Sequence, residues 1–330
     1  AVMAKDWPTT VVITGRMPDV PTLRLERPEL PFLRFLERPR VYYPGIELVV
    51  EAEISLTSDP YLNDHIYKGQ ILFLAVMGLE AMAQVSSTVL GVEAVPIFEE
   101  VEFSRPVVVD KTRSETLQIA ALVQEEGIVE VALRCAQTGF KVDHFRARCR
   151  FDHLSADNIQ KPDIKEKRIN IEPEQELYGD LLFQEGRFKR LSGYHHIEAT
   201  QCVGEIVEDE SISWFGRYLS PTLRLGDAGS RDATIHAIQV CIPHAQLLPI
   251  RIDKLHFFDV HTQGPWTVFA KERWHEGDLF CYDLTVWGKN GQLREKWEGL
   301  HLRKVSMIAW PDGWLEPLLI PYIERRFQEL

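Results

Sequence analysis

Cysteine is scarce in this chain: five in 330 residues (Cys135, Cys149, Cys202, Cys241 and Cys281), odd in number and widely scattered. No CxxC pair and no clustered Cys/His spacing occurs, so neither a disulfide framework nor a structural zinc site is supported. Positive charge is also in short supply. Lys and Arg number 37 against 49 Asp and Glu, giving a formal net charge of −12. A general nucleic-acid binder needs a cationic surface to meet phosphate, so no nucleic-acid partner is expected. The first residues, AVMAKDWPTT, hold no apolar core of signal-peptide length, and a reduced, cytoplasmic setting is the expectation. The signatures GxGxxG, P-loop, GxSxG and HExxH are all missing.

What is present is a globular composition, 45% hydrophobic and 26% charged, on a chain long enough for two ordinary domains or one large one. The stretch 61–91, YLNDHIYKGQILFLAVMGLEAMAQVSSTVLG, organises the rest. It begins polar and turn-rich, with Asn63, Asp64, His65 and Gly69, and runs apolar from Ile71 to Gly91. Leu72, Ala75, Val76, Leu79, Met82, Ala83 and Val89 recur at helical spacing, and Phe73, Leu74, Met77 and Ala81 fill the other faces. A helix apolar nearly all round is a buried one. Glu80 and Gln84 share a face at i, i+4, which makes the run a poor membrane span.

Residues 1–40 are rich in proline and charge and read as an extended lead-in, of the kind that joins domains in a longer polypeptide. A strand over 46–56 precedes the His65 loop and the buried helix. Strand-like runs follow at 101–109, 115–124, 128–136 and 142–151, with turns at Glu125-Glu126-Gly127 and Thr138-Gly139. Residues 153–175 are polar and read as a linker. The order then repeats: strand character over 188–208 and 211–218, a helix over about 229–242, and strands at 247–260, 266–274, 279–287 and 295–305. The expected division is a lead-in (1–40), one unit (41–152), a linker (153–175), a second unit (176–308) and a C-terminal linker segment (309–330). Each unit is an antiparallel sheet curved around a central helix, and the repeat lies in the order of elements.

Two places carry candidate chemistry. His65 stands in a loop ahead of a helix whose free N–H groups and positive dipole end would face an acyl oxygen, with His65 beside it as a base. The plainer reading is a loop histidine bonded to Asp64 or a backbone carbonyl. In the second helix, GDAGSRDATIHAIQVCIPH, Asp232 and His236 stand at i, i+4 on one face and Gln239 lies a further turn along. Asp227 suits an N-cap. His195-His196 reads as a strand pair rather than a metal site. Arg187, Lys189 and Arg190 form a small cationic group, either solvated or a dock for an acidic partner.

These residues converge on a family. His65-xxx-Gly69 ahead of the buried helix resembles the HxxxGxxxxP motif of polyketide synthase dehydratase domains, and Asp232-xxx-His236 resembles their DxxxQ or DxxxH motif. The phrase AVMGLEAMAQ (75–84) is similar to the central helix of fatty-acid dehydratases, and LYGDLLFQEGRFKRL (177–191) to the family's segment entering the second half. The helix phrase and GDAGSRDATIHAIQ most resemble the domains of iterative enediyne-type synthases. The chain departs from the motif at Leu74, where the family has proline, which puts the shape of the pocket in question.

The resemblance implies an α+β double hot-dog fold and loss of water from a β-hydroxyacyl chain carried on the phosphopantetheine arm of an acyl carrier protein. No cofactor or metal of the domain's own is implied. His65 would take the α-proton, Asp232 would protonate the leaving hydroxyl while holding its proton in an apolar pocket, and His236 would position Asp232 or the hydroxyl. Gly69 and the adjacent helix start would receive the thioester oxygen. Val76, Leu79, Ile235 and Gln239 are the expected pocket walls. Partners would be the carrier protein and neighbouring synthase domains, without a membrane, and a homodimer is compatible. Two alternatives stay open: a product-template-like cyclase of the same fold, and a degenerate scaffold domain.

Overall fold

The computed structural model describes residues 28–151, 159–163, 167–261, 263–308, 313 and 315–328. Most of the proline-rich lead-in therefore lies outside the described residues. The described part of it packs closely: Leu33, Phe35 and Leu36 are buried in the core. Arg34 forms two hydrogen bonds to the Asp59 carboxylate at 2.9 and 2.7 Å.

The first half runs β1 (Arg38–Tyr43), β2 (Glu47–Ile54), β3 (Ile66–Tyr67), β4 (Gln70–Leu72), α1 (Ala75–Leu90), β5 (Ile97–Phe103), β6 (Val108–Val109), β7 (Glu115–Glu125), β8 (Ile128–Cys135) and β9 (Phe145–Arg150). A short helix α2 (Pro173–Glu176) leads into the second half: β10 (Leu191–Ile197), β11 (Gln201–Ile206), α3 (Ala228–His236), β12 (Ala245–Phe257), β13 (Trp266–Glu276), β14 (Leu279–Trp287) and β15 (Leu293–Met307), followed by α4 (Glu316–Gln328).

One 12-stranded antiparallel sheet joins the halves, in the order β1-β2-β7-β8-β9-β5-β12-β15-β14-β13-β11-β10. Read from either end, the strands follow the same plan, so the duplication seen in the element order is a duplication of topology. The seam is the β5–β12 pair, with Arg251 opposite Glu102, Ile252 opposite Val101 and Leu255 opposite Phe98. The small β3-β4-β6 sheet stands apart from it. This is the α+β double hot-dog architecture.

Alternation explains which face of the sheet meets the helices. Along β7 the buried residues are Glu115, Leu117, Ile119 and Ala121, every second position, and β8 buries Val129, Val131, Leu133 and Cys135. Both sets turn toward α1, which is buried from Val76 to Val89. Close packing leaves no room at Gly78, where a Cβ would run into the Phe145 ring. Gly91 ends α1 in the left-handed region at φ 67°, its N–H turned back to Ser87 and Thr88.

Several expected elements differ. The helix starts at Ala75 rather than near Ile71, because Gln70–Leu72 pairs as a strand with Ile66–Tyr67 and Val108–Val109. Lys68 and Gly69, at φ 48° and 77°, make the two-residue turn between those strands. The run 101–109 breaks in two around Pro106, and 188–208 folds into the β10–β11 hairpin. Residues 211–218 form no strand. Trp214 and Phe215 are buried there, and Gly216 N–H bonds the Ser58 carbonyl at 2.8 Å, so packing onto the first half prevails over strand propensity. The expected C-terminal linker segment contains α4, with Leu318 and Arg325 fully buried. Arg325 forms hydrogen bonds to both oxygens of the Glu272 carboxylate, at 3.1 and 2.6 Å.

Candidate active site

His65 follows the short 3-10 helix Pro60–Asp64, and its backbone carbonyl receives the Leu72 N–H at 3.2 Å. The β3–β4 hairpin thus closes over the histidine and holds it ahead of α1. The imidazole is buried, and its Nδ1 has no hydrogen-bond partner among the described residues. Phe183 packs edge-on at 5.0 Å and Phe188 at 5.9 Å. Burial pushes the ring below the ordinary histidine value. Proximity to Asp232 and backbone oxygens opposes this, and His236 adds to it. Burial thus favours the neutral form of the ring.

Asp64 does not serve His65. It bonds the Arg187 guanidinium, receives the Arg187 N–H at 3.3 Å, and its carbonyl takes the Glu185 N–H at 2.9 Å. This clamp ties the histidine loop of the first half to segment 183–188 of the second. The rest of the expected cationic group is likewise engaged. Lys189 pairs with Glu174 at 3.2 Å, and the buried Arg190 sits 3.7 Å from both Asp209 and Asp227. His195 and His196 meet Glu205 and Glu198 along the sheet.

On α3, Asp227 is the N-cap and accepts the Ser230 N–H at 2.8 Å. Asp232 and His236, one turn apart, are both buried, with Oδ2 to Nδ1 at 3.1 Å. His236 Nε2 lies 3.1 Å from the Tyr178 hydroxyl. That hydroxyl accepts the N–H groups of Arg190 at 3.0 Å and Leu191 at 3.1 Å. With its lone pairs taken, it donates its own proton to Nε2, since the alternative acceptor, the Phe188 carbonyl, lies farther off at 3.4 Å. Nε2 is then the acceptor, and Nδ1–H points at the Asp232 carboxyl. Tyr178 was not singled out from the sequence, nor were Phe183 and Gln184. All three lie in the phrase LYGDLLFQEGRFKRL, whose resemblance marked the segment but no residue within it.

His65 from one half and Asp232 from the other line a single cavity of about 50 Å³. His236, Ile235, Gln239, Phe183 and Gln184 share its walls, Leu302 and Pro249 close one side, and Ala75 brings the start of α1 to it. Of the expected pocket residues, Ile235 and Gln239 are there. The Gln239 amide is spent on the backbone, bonding the Ile242 and Ala245 carbonyls and the Leu247 N–H. Val76 and Leu79 are not among the walls; both are fully buried in the core around α1. Gly69 is not among them either. It is exposed at the hairpin tip, because the strand pair carries it away from the helix start.

Comparison with known proteins bears on the fold and the descent of the chain. A family model described as polyketide synthase dehydratase domain matches residues 40–135. A second, described as polyketide synthase dehydratase N-terminal domain, matches residues 162–309. No curated protein sequence matches the chain. Among solved structures, the dehydratase domain from the CurF module of the curacin polyketide synthase is 18% identical, with 82% of this chain and 99% of that one covered and a TM-score of 0.65. The dehydratase domain of PpsC from Mycobacterium tuberculosis, in complex with C12:1-CoA, is 17% identical, covering 83% and 100%, with a TM-score of 0.67. Two inactive mutants of the CurK dehydratase, one with asparagine for an aspartate and one with phenylalanine for a histidine, are each 16% identical and cover 83% of this chain. They are covered over 99% and 98% of their own lengths, each with a TM-score of 0.67. At such identities the structures speak for the fold, while the family models, which between them span both halves and both motifs, speak for descent. The chain belongs to the polyketide synthase dehydratase domains.

Proposed function

We propose that His65 and Asp232 are the base and acid of the dehydration this family carries out in polyketide synthesis. The single observation behind the assignment is that the two residues, from opposite halves of the duplicated fold, line one buried cavity. A β-hydroxyacyl thioester has a weakly acidic α-proton and a poor leaving group, so elimination needs a base at one carbon and an acid at the next. His65 takes the α-proton. The electrons of the Cα–H bond form the Cα=Cβ bond as the Cβ–O bond breaks, and Asp232 gives its proton to the departing oxygen, releasing water. Return of the proton from His65 to Asp232 restores the site. His236, fixed by Tyr178, holds the Asp232 carboxyl in place. No cofactor enters, because both proton transfers use side chains of the chain itself.

The thioester oxygen belongs near the start of α1, where Ala75 reaches the cavity wall and the helix dipole favours developing negative charge. An acyl carrier protein as the donor, iterative enediyne-type assembly, a homodimeric host synthase and a cytoplasmic setting complete the reading. The carrier protein follows from the family's reaction, and enediyne-type assembly rests on the resemblance of the two helix phrases. The last is in keeping with five cysteines, none in a disulfide.

The test is water loss from 3-hydroxyacyl pantetheine or carrier-bound thioesters, followed by mass spectrometry. The wild-type chain should yield the enoyl thioester, and His65→Ala and Asp232→Asn should each fall by roughly 100-fold or more while keeping the native circular dichroism. A cyclised product would move the assignment to the cyclase of this fold, and intact turnover in either variant would remove that residue from the mechanism.

A further inference from the structure

Gln184 stands in the cavity wall beside His65 and Asp232, and only 6% of it is exposed. Its Oε1 is buried with no hydrogen-bond partner among the described residues. An orphaned amide oxygen in a protein interior is unfavourable and calls for a donor. The position is built rather than incidental. On one side Phe183 packs edge-on against the His65 ring at 5.0 Å. On the other, the Glu185 N–H bonds the Asp64 carbonyl at 2.9 Å and Arg187 bonds the Asp64 carboxylate. Gln184 is thereby registered against the catalytic histidine by contacts that cross the two halves.

In a cavity of about 50 Å³ there is room for only the reacting end of the substrate. That end carries acceptors in its thioester oxygen and sulfur, and one hydrogen-bond donor, the β-hydroxyl. We propose that Gln184 is a substrate-positioning residue whose Oε1 accepts the β-hydroxyl proton and so turns the oxygen's lone pairs toward Asp232. Rotation about the Cβ–O bond is then fixed before the acid acts. The hydroxyl keeps its own proton throughout, takes a second from Asp232, and leaves as water still bonded to Gln184.

This inference rests on the dehydratase reading of the cavity, so its test is arranged to fail separately from that reading. His65→Ala provides a host that does not turn over. Into it go a 3-hydroxyacyl N-acetylcysteamine thioester and its saturated counterpart lacking the hydroxyl, with affinities measured by calorimetry. The host should prefer the hydroxylated compound by about tenfold, the yield of one hydrogen bond to a desolvated acceptor. Adding Gln184→Met, which keeps length and loses the acceptor, should bring the ratio close to one. Gln184→Glu, which keeps an acceptor oxygen, should preserve it. In the otherwise wild-type chain, Gln184→Met should lower kcat about tenfold with KM changed far less. No preference in the host, a preference that survives Gln184→Met, or its loss in a folded Gln184→Glu would each overturn the proposal. Absence of water loss in the wild-type chain would instead strike the dehydratase reading, and the binding ratio would still decide the role of Gln184.

Discussion

The Tyr178 hydroxyl lies 3.1 Å from Nε2 of His236, and it decides which nitrogen of that ring bears the proton. Two backbone N–H groups, of Arg190 and Leu191, occupy the lone pairs of the hydroxyl. Its proton therefore goes to Nε2, and Nδ1–H is left to hold Asp232. Tyr178→Phe keeps the ring and removes this control. The expected result is a fall in kcat of roughly tenfold with little change in KM, together with a lowered Tm from the stranded N–H groups. Steady-state kinetics and thermal melts check it; an unchanged kcat would reduce Tyr178 to a structural role.

Burial holds the His65 ring below the ordinary value of 6.5. Its neutral form, the base, is therefore present down to mildly acidic pH, and the ascending limb of kcat/KM against pH should lie below 6.5. The stability consequence has the same sign. The unfolded chain takes up a proton on this ring near 6.5 while the folded chain does not. The contribution of His65 is complete above 6.5 and is lost as pH falls from there through the lower folded value. His256, also lowered by burial, acts in the same window. A pH–rate profile and denaturant titrations across the acidic range test both, and a rate limb rising only above 6.5 would contradict the burial argument.

Glu80, buried in the middle of α1, accepts the backbone N–H groups of Arg224 and Leu225 at 2.7 and 2.9 Å. It also accepts the Gln84 amide at 2.8 Å, and Gln84 in turn accepts the Phe35 N–H at 2.9 Å. This polar chain crosses from the N-terminal segment through α1 to the loop before α3. Glu80→Ala strands three donors in the interior and should cost on the order of 3 kcal/mol. Glu80→Gln, which keeps an acceptor oxygen, should cost much less. Chemical denaturation of the two variants separates them.

Leu74 occupies the place of the family's motif proline, at the N-cap of α1, with φ −73° and ψ 145°. Proline prefers φ near −65° and an extended ψ at such a position. Leu74→Pro should therefore fold, change stability by no more than about 1 kcal/mol, and keep dehydration. The leucine thus leaves the backbone in the conformation that a proline would impose. A variant that unfolds or loses turnover would show that the leucine side chain, buried at this point, is needed for packing.

Much of the architecture was readable from residue order alone, because alternation at period 2 and apolar spacing at period 3.6 are local properties. The buried run ending at Gly91, the paired Asp232 and His236, the capping place of Asp227 and the repeated plan of the two halves all follow from such patterns. What sequence could not carry was relation across distance. Gly69 is adjacent to the helix in sequence but not in space, since pairing of β3 with β4 takes it to an exposed tip. Gln239 looks like a pocket group and is spent on its own backbone. Tyr178 and Gln184 sit in a segment without a periodic signal, and they reach the site only because that segment, clamped by Asp64 and Arg187, lies beside His65. Sequence by itself determined which side chains could do acid–base chemistry and on which elements they stand. Only the tertiary structure brought a loop of one half and a helix of the other into one cavity, because that closeness depends on the β5–β12 seam and the contacts around it, all long-range.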